Sequence, residues 1–306
     1  MKRFYKNRKI FYGISIALIL IGVIFIFING VSLDIQFSGG SKITYDYKGE
    51  IPLQEAEALV EETLGRTATA QQTVGISDET YSLVLSLGGK ESITTEDQDK
   101  LTTAFAEKYP DSEISLASIR SVEPYIGRQF LIRGILAIVI AMVLIVIYVT
   151  IRFKLISGLS AALTALLALL HDLVLVFMTF VVFKIPINDG FVAVVLTILG
   201  YSVNATIVIY DRIRANKRLY GSKLTIEEIA DKSISQTLAR TINTSLMTVI
   251  AIMLVFIFAM ANGLTSVANF ALPLMVGTIS GCYSSITLPG TLWVSWQKHK
   301  LNKKEA

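Results

Sequence analysis

Cysteine is almost missing from this 306-residue chain: the single Cys282 lies inside an apolar stretch, so no intrachain disulfide forms and no thiolate cluster is available. Histidine is nearly as scarce. The two present, His171 and His299, fall on separate segments, which argues against a zinc hydrolase. The sequence shows no Ser/His/Asp arrangement and no phosphate-cradling glycine loop, so neither a hydrolase triad nor an ATP motif is on offer. Charge is short as well, at 17% of residues against about 25% in ordinary soluble domains, while 53% of residues are hydrophobic. The chain is therefore expected to be no enzyme and to carry no cofactor. Any active process in it must draw on an ion gradient or on a partner's energy. Nothing in the sequence suggests a nucleic-acid partner.

What is abundant is apolar sequence gathered into runs, at 10–28, 130–149, 155–183, 191–210, 245–261 and 266–296. A helix needs about 20 apolar residues to cross the hydrocarbon core of a bilayer. Four of the runs reach that length unaided and the other two reach it with weakly polar flanks, so the expected architecture is a membrane-embedded all-α bundle of six helices. The basic residues mark its orientation. Arg3, Lys6, Arg8 and Lys9, with Lys2, precede the first run; Arg152 and Lys154 separate the second and third. Arg212, Arg214, Lys217, Arg218, Lys223 and Lys232 separate the fourth and fifth, and Lys298, Lys300, Lys303 and Lys304 follow the last. These are alternate connections, and cytoplasmic loops are the ones enriched in Lys and Arg. Both termini are expected in the cytoplasm of a cell bearing the chain in its cytoplasmic membrane. The first run is longer than the 7–15 residues of a signal peptide and ends without an A-x-A-like site, so it is expected to stay as an anchor.

Four segments follow: a cytoplasmic terminus and first span over 1–30, a folded extracytoplasmic domain over 31–128, spans two to six over 129–297, and a basic tail over 298–306. In the polar domain Ile43, Tyr45 and Tyr47 alternate as in a strand. Pro52 opens a helix with Leu53, Ala56, Val60 and Leu64 on one face and Gly65 at its stop. Strands are expected over Ala68–Val74 and around Tyr81, Leu83, Leu85 and Leu87. Thr95 with Gln98 offers a capping box for a helix burying Leu101, Ala104 and Phe105, with Pro110 beyond it. Ile114, Leu116 and Val122 suggest a last strand. The order β-α-β-β-α-β is that of a ferredoxin-like α+β sandwich. Between spans four and five, 211–236 is read as a cytoplasmic interfacial segment with a short amphipathic helix around Ile226, Ile229 and Ala230.

Polar groups at membrane depth cost at least about 2.5–3.5 kcal/mol when charged. Asp172, next to His171, is the plainest case: either a proton- or cation-handling carboxylate facing the bundle interior, or a structural one bonded to a neighbouring helix. Ser202, Asn204 and Thr206 in the fourth run either pack helices or bond across them. Arg240, at the start of the fifth, either snorkels to the interface or turns inward to Asp172 or Asn204. Asn269, His171 and Tyr283 are weaker candidates, of types more often used in helix packing.

The order of motifs resembles the SecF family of protein-export membrane subunits. Asp34-Ile35-Gln36-Phe37-Ser38-Gly39-Gly40 is similar to its Asp-Phe-x-Gly-Gly signature. Ser121-Val122-Glu123-Pro124-Tyr125-Ile126-Gly127 and Leu170-His171-Asp172 resemble its entry to span two and its span three. The stretch from Leu199 through Tyr201-Ser202-Val203-Asn204-Ala205-Thr206 to Arg214 resembles its most diagnostic run. Thr237-Leu238-Ala239-Arg240-Thr241 and Gly281-Cys282-Tyr283-Ser284-Ser285 follow in order. The resemblance implies one six-span half of an RND-type assembly, paired with a SecD-like subunit beside the SecYEG translocon. Such a pair uses a proton or sodium ion gradient to draw unfolded polypeptide outward across the lipid membrane. It also implies an ion-coupling Asp directly after the span-four Asn and a coupling Arg at the start of span five, the latter matched by Arg240.

Two positions depart from the pattern. Gln36 stands where the signature has Asp, and Ala205 stands where the family has its coupling Asp. Either the SecD-like half supplies the carboxylate, or Asp172 takes over, or coupling is altered; the first is the preferred expectation. An RND-like small-molecule exporter and a non-transporting scaffold are the competing readings.

Overall fold

The computed structural model describes residues 3–74, 80–88 and 93–305. Lys2 and the side chains of Lys303 and Lys304 lie outside what is described.

Helix α1 (Arg8–Asn29) is 22 residues long, about 33 Å at 1.5 Å per residue, enough to cross a hydrocarbon core of about 30 Å. A four-residue helix α2 (Ile35–Ser38) then leads into the small domain. There, β1 (Gly40–Lys48), α3 (Leu53–Leu64), β2 (Ala68–Val74), β3 (Thr80–Leu87), α4 (Thr95–Lys108) and β4 (Ser115–Val122) follow in turn. The strands form one antiparallel sheet in the order β2-β3-β1-β4. Alternation dictates its core. Ile43, Tyr45 and Tyr47 of β1 and Leu83, Leu85 and Leu87 of β3 point to one face, against Ala56 and Val60 of α3 and Leu101 and Phe105 of α4. Gly65 ends α3 in the left-handed region, the conformation that stops a helix at lowest cost with glycine.

One local expectation shifts. The capping box of α4 is Thr94 with Asp97, not Thr95 with Gln98: Thr94 Oγ1 accepts from Asp97 N at 3.2 Å and the Asp97 carboxylate accepts from Thr94 N at 3.3 Å. Leu116 and Val122 lie in β4 as expected; β4 is an edge strand, its pairing to β1 slips past Ala117 between Ser118 and Leu116, and Leu116 remains exposed. Ile119, opposite Ile43, packs on the core instead.

Past Glu123 the chain is helical almost to its end. Pro124 occupies the first turn of α5 (Pro124–Arg152), where its missing N–H costs nothing. Then come α6 (Gly158–Val182), α7 (Asp189–Tyr220), α8 (Ile226–Ala261), α9 (Thr265–Thr287) and α10 (Pro289–Glu305), the last two forming one segment bent at Leu288. Among the described residues six segments are long and apolar enough to cross a membrane: α1, α5, α6, α7, α8 and α9 with α10. α6 and the α9–α10 segment are more than half buried and form the centre. α5 and α8 present Ile135, Leu136, Val143, Leu144, Leu254 and Ile257 outward, side chains that only lipid or another apolar surface covers at low cost.

The separate interfacial helix expected over 211–236 is not formed. α7 and α8 run straight through it as a helical hairpin broken only around Gly221. Charge there marked the end of the apolar run, but helix-forming residues continue, and the inner stripe stays paired: Asn216 Nδ2 donates to Ser233 Oγ at 2.9 Å and to Gln236 Oε1 at 2.8 Å.

The small domain is seated on the bundle by backbone. Asp34 N donates to Ile187 O at 3.0 Å and Ile187 N to Ser32 O at 2.9 Å, joining the α1–α2 link to the α6–α7 loop. The double glycine completes the seat. Gly39 has φ +77° and a Cβ there would lie 2.5 Å from Pro124 Cα; Gly40 has φ +131° and a Cβ would lie 2.3 Å from Leu87 O. Gly127, one turn into α5, would in turn strike Gly39 N at 2.9 Å. Two motifs almost ninety residues apart are thus one close backbone contact. Gly39→Ala is expected to cost about 2–3 kcal/mol, toward the upper end for a residue forced into a sparsely populated region. Gly49→Ala, with φ +87° and nothing within 4 Å, is expected to cost only about 1 kcal/mol. Thermal unfolding of the purified protein in detergent compares the two; equal losses would remove the Gly39–Pro124 contact as the cause.

Candidate functional site

Asp172 sits at the seam between two apolar clusters of the bundle. One is built around Phe153, Tyr210 and Trp293, the other around Phe180, Val194 and Ile198. The carboxylate is fully buried, and it is bonded. Ser202 Oγ of α7 donates to Oδ2 at 2.6 Å, Ser280 Oγ of α9 to Oδ1 at 2.6 Å, and Ser284 Oγ of α9 to Oδ2 at 2.8 Å. His171 Nδ1 stands 3.2 Å from Oδ1. Around this centre Ser285 Oγ donates to the Ser202 carbonyl at 3.1 Å and Thr206 Oγ1 to Ser285 Oγ at 3.2 Å. The backbones approach closely enough because Gly277 and Gly281 face the contact. A Cβ on Gly277 would meet Ile198 and Val176 side chains at 2.7 Å, and one on Gly281 would meet Ser202 Cβ at 3.3 Å. One carboxylate thereby ties α6 to both α7 and α9.

The span-four residues divide by helical geometry. Residues four apart share a face and residues two apart stand about 200° apart. Ser202 and Thr206 therefore face inward, buried in this network, while Asn204 is exposed on the opposite side and Ala205 is half-buried between. Arg240 of α8 is also exposed. It reaches neither Asp172 nor Asn204, and no hydrogen bond or ion pair engages it among the described residues. It lines an open groove of about 490 Å³ with Val208, Asp211, Arg212, Gln236 and Thr237. Asp211 is taken up elsewhere, by Arg152 at 3.2 Å and Arg214 at 2.9 Å. The sequence candidates thus form two sets: Asp172 and Thr206 inside the half-bundle, and Asn204, Ala205 and Arg240 along its outer α7–α8 surface.

Gly39 and Gly40 belong to neither set; they hold the domain junction. There, the sheet and the ends of α6, α7 and α9 enclose a polar cavity of about 350 Å³ whose lining includes Lys42, Arg120, Asn188, Asp189 and Asn269. Asp34, also on its wall, caps α2 through Gln36 N and lies 3.6 Å from Lys42 Nζ. Tyr283 stands beside the site, its ring centroid 6.3 Å from that of His171, and its hydroxyl donates to Phe11 O at 2.8 Å, joining α9 to α1. The residue that sequence reasoning missed is Ser280. Its signal was the i, i+4 spacing with Ser284, which puts two hydroxyls on one face of α9. Among the described residues no group of three metal-ligating side chains is formed.

Six apolar segments around a buried polar layer, with a small α+β unit seated at one end, define a multi-pass membrane protein. Its relatives say which kind. A family model described as protein export membrane protein SecD/SecF, C-terminal, matches residues 101–299. The protein translocase subunit SecF of Petrotoga mobilis is 33% identical over 309 residues, covering 99% of this chain and 98% of that one. The protein translocase subunit SecDF of Bacillus subtilis is 30% identical over 99% of this chain, which spans 39% of its length. The crystal structure of SecDF, a translocon-associated membrane protein from Thermus thermophilus, superposes with a TM-score of 0.82 at 26% identity, over 97% of this chain and 39% of that one. The chain belongs to the SecD/SecF family of protein-export membrane proteins. Over nearly its whole length it is similar to SecF subunits of the protein translocase.

Proposed function

We propose that this chain is a SecF-like half-subunit that pairs with a SecD-like half and uses a proton or sodium ion gradient to promote polypeptide export beside the SecYEG translocon. In this reading its six helices are one RND-type half-bundle, its sheet unit is a ferredoxin-like domain outside the cell membrane, and both termini are cytoplasmic. The alternating basic loops support that orientation.

The observation that carries the reading is the open α7–α8 surface. Asn204 and Arg240 are polar groups on long apolar helices, exposed and, among the described residues, without hydrogen-bond or ion-pair partners in their own chain. An arginine there is costly unless something receives it. A second half supplies both cover and a counter-charge. The SecDF relatives are more than twice the length of this chain, which leaves room in one polypeptide for such a half.

Ala205 cannot bind or release a proton, so the carboxylate facing Arg240 is assigned to the SecD-like half. Ala205→Asp returns a carboxyl to the α7 surface and is expected to leave assembly intact while raising or altering ion-dependent export, read in proteoliposomes with and without a gradient. Unchanged export would mean that a local carboxylate was not the missing element. Ala205 also favours a second reading, a scaffold that stabilises the translocase without moving ions. In that case export with the partner present is independent of the gradient.

A further inference from the structure

His171 is 6% exposed, and its Nε2 is buried with no hydrogen-bond partner among the described residues. Buried polar atoms almost always have partners, so an orphan nitrogen beside a buried carboxylate calls for a chemical reason. Donor counting supplies one. The hydroxyls of Ser202, Ser280 and Ser284 donate to Asp172, and Nδ1 of His171 faces Oδ1 at 3.2 Å. With Nδ1 carrying the ring hydrogen, a tautomer assigned from this network, the carboxylate accepts from four donors and needs no hydrogen of its own. Nε2 is then left with only its lone pair.

We propose that His171 and Asp172 form a proton-binding dyad in which a proton taken up on the Nε2 lone pair converts the imidazole to an imidazolium paired with the Asp172 carboxylate. One N–H bond forms, none breaks, and the net charge of the pair goes from −1 to zero. The imidazolium competes with the serine hydroxyls for the carboxylate, so proton uptake weakens the bonds that hold α9 and α7 to α6. The geometry favours a proton over sodium. Serine hydroxyls at 2.6–2.8 Å from the carboxylate oxygens are already bonded to them, which leaves no gap for an ion coordinated at about 2.3–2.6 Å by several oxygens. A nitrogen lone pair is also a poor ligand for a hard cation.

α6 packs on α1, α5, α7, α9 and α10. The titratable side chain facing the dyad is Tyr283 of α9, its ring centroid 6.3 Å from that of His171. Tyr12 of α1 is bonded to Thr291, and Tyr201 and Tyr210 of α7 to Ser245 and Thr164. From α5 and α10 no ionisable side chain bonds to the dyad among the described residues. Nor does any lysine, arginine, glutamate or second aspartate form an ion pair with either member. The use of the dyad in export rests on the coupling role proposed above; its chemistry does not.

The chain has only two histidines, so imidazole-¹⁵N labelling of the full chain in lipid nanodiscs, in a His299→Gln background, leaves one signal to follow. As pH falls through the range of about 8 to 5 where histidine titrates, His171 is expected to pass from a neutral Nδ1–H ring to a doubly protonated one. Asp172→Asn is expected to shift that transition to a proton concentration about tenfold higher or more, because the imidazolium loses its carboxylate. Where Asp172→Asn fails to fold, Ser280→Ala serves instead. It frees Oδ1 of one hydroxyl and is expected to move the transition to lower proton concentration. A ring that stays neutral throughout, a transition unmoved by the variant used, or an Nε2 signal that follows sodium at fixed pH would overturn the dyad. Export plays no part in the measurement, so its failure leaves the export reading standing.

Discussion

Arg240→Met is expected to abolish the gradient-dependent part of export while the chain still inserts and folds. Arg240 is exposed and makes no hydrogen bond or ion pair among the described residues, so exchanging it for an unbranched apolar side chain should move stability by no more than about 0.5 kcal/mol. What it loses is a fixed positive charge on the α7–α8 surface, which the proposed pairing sets opposite the coupling carboxylate of a second half. Uncoupling, not collapse, is the signature. Reconstitution with the SecD-like partner and the channel reads it: export with a gradient falls to the level without one, while the amount of assembled complex is unchanged. Arg240→Lys keeps the charge but not the planar fork, and is expected to recover part of the effect. Near-normal export in Arg240→Met would refute the coupling role.

The largest loss of stability is expected from Asp172→Ala. Three interhelical hydrogen bonds end on this carboxylate, one from α7 and two from α9. Interhelical bonds in membrane proteins average about 0.6 kcal/mol and reach about 1.7, so three together amount to about 2–5 kcal/mol. Some is recovered because a serine hydroxyl in a helix can turn back to its own carbonyls, as Ser284 already approaches Gly281 O at 3.4 Å. Asp172→Asn keeps one acceptor oxygen and is expected to lose less than half as much. Thermal unfolding in detergent reads the difference. A wild-type melting temperature for Asp172→Ala would mean that the serine cage contributes nothing to the bundle.

Both expectations depend on structure that the sequence disclosed unevenly. The sheet domain was legible because period-two patterning, Gly65 and the breaks around Pro52 and Pro110 act locally. The cap of α4 slipped by one residue because Thr94-Thr95-Glu96-Asp97-Gln98 holds two overlapping pairs in phase, and only backbone geometry chooses between them. The α7–α8 hairpin was missed because the apolar run ends at Tyr210, but nothing breaks the helix before Gly221.

At the site, hydropathy picked out Asp172, since a carboxylate amid leucines is conspicuous. It did not show who bonds to it. Ser280 lies 108 residues away, and serine in a membrane helix is ordinary, so its role depends on the relative rotation of α6 and α9. Asn204 and Thr206 look alike in sequence, yet two residues' difference sends one outward and the other into the core.

Orientation underlies the whole reading of export, and surface labelling tests it most directly. In a Cys282→Ser background, single cysteines are placed at Thr103 on α4 of the sheet domain and at Ser222 in the α7–α8 turn, both exposed. A membrane-impermeant maleimide applied to intact spheroplasts is expected to label Thr103→Cys at once and Ser222→Cys only after the membrane is opened. Labelling in the reverse order would place the sheet domain in the cytosol and contradict a role in drawing polypeptide outward.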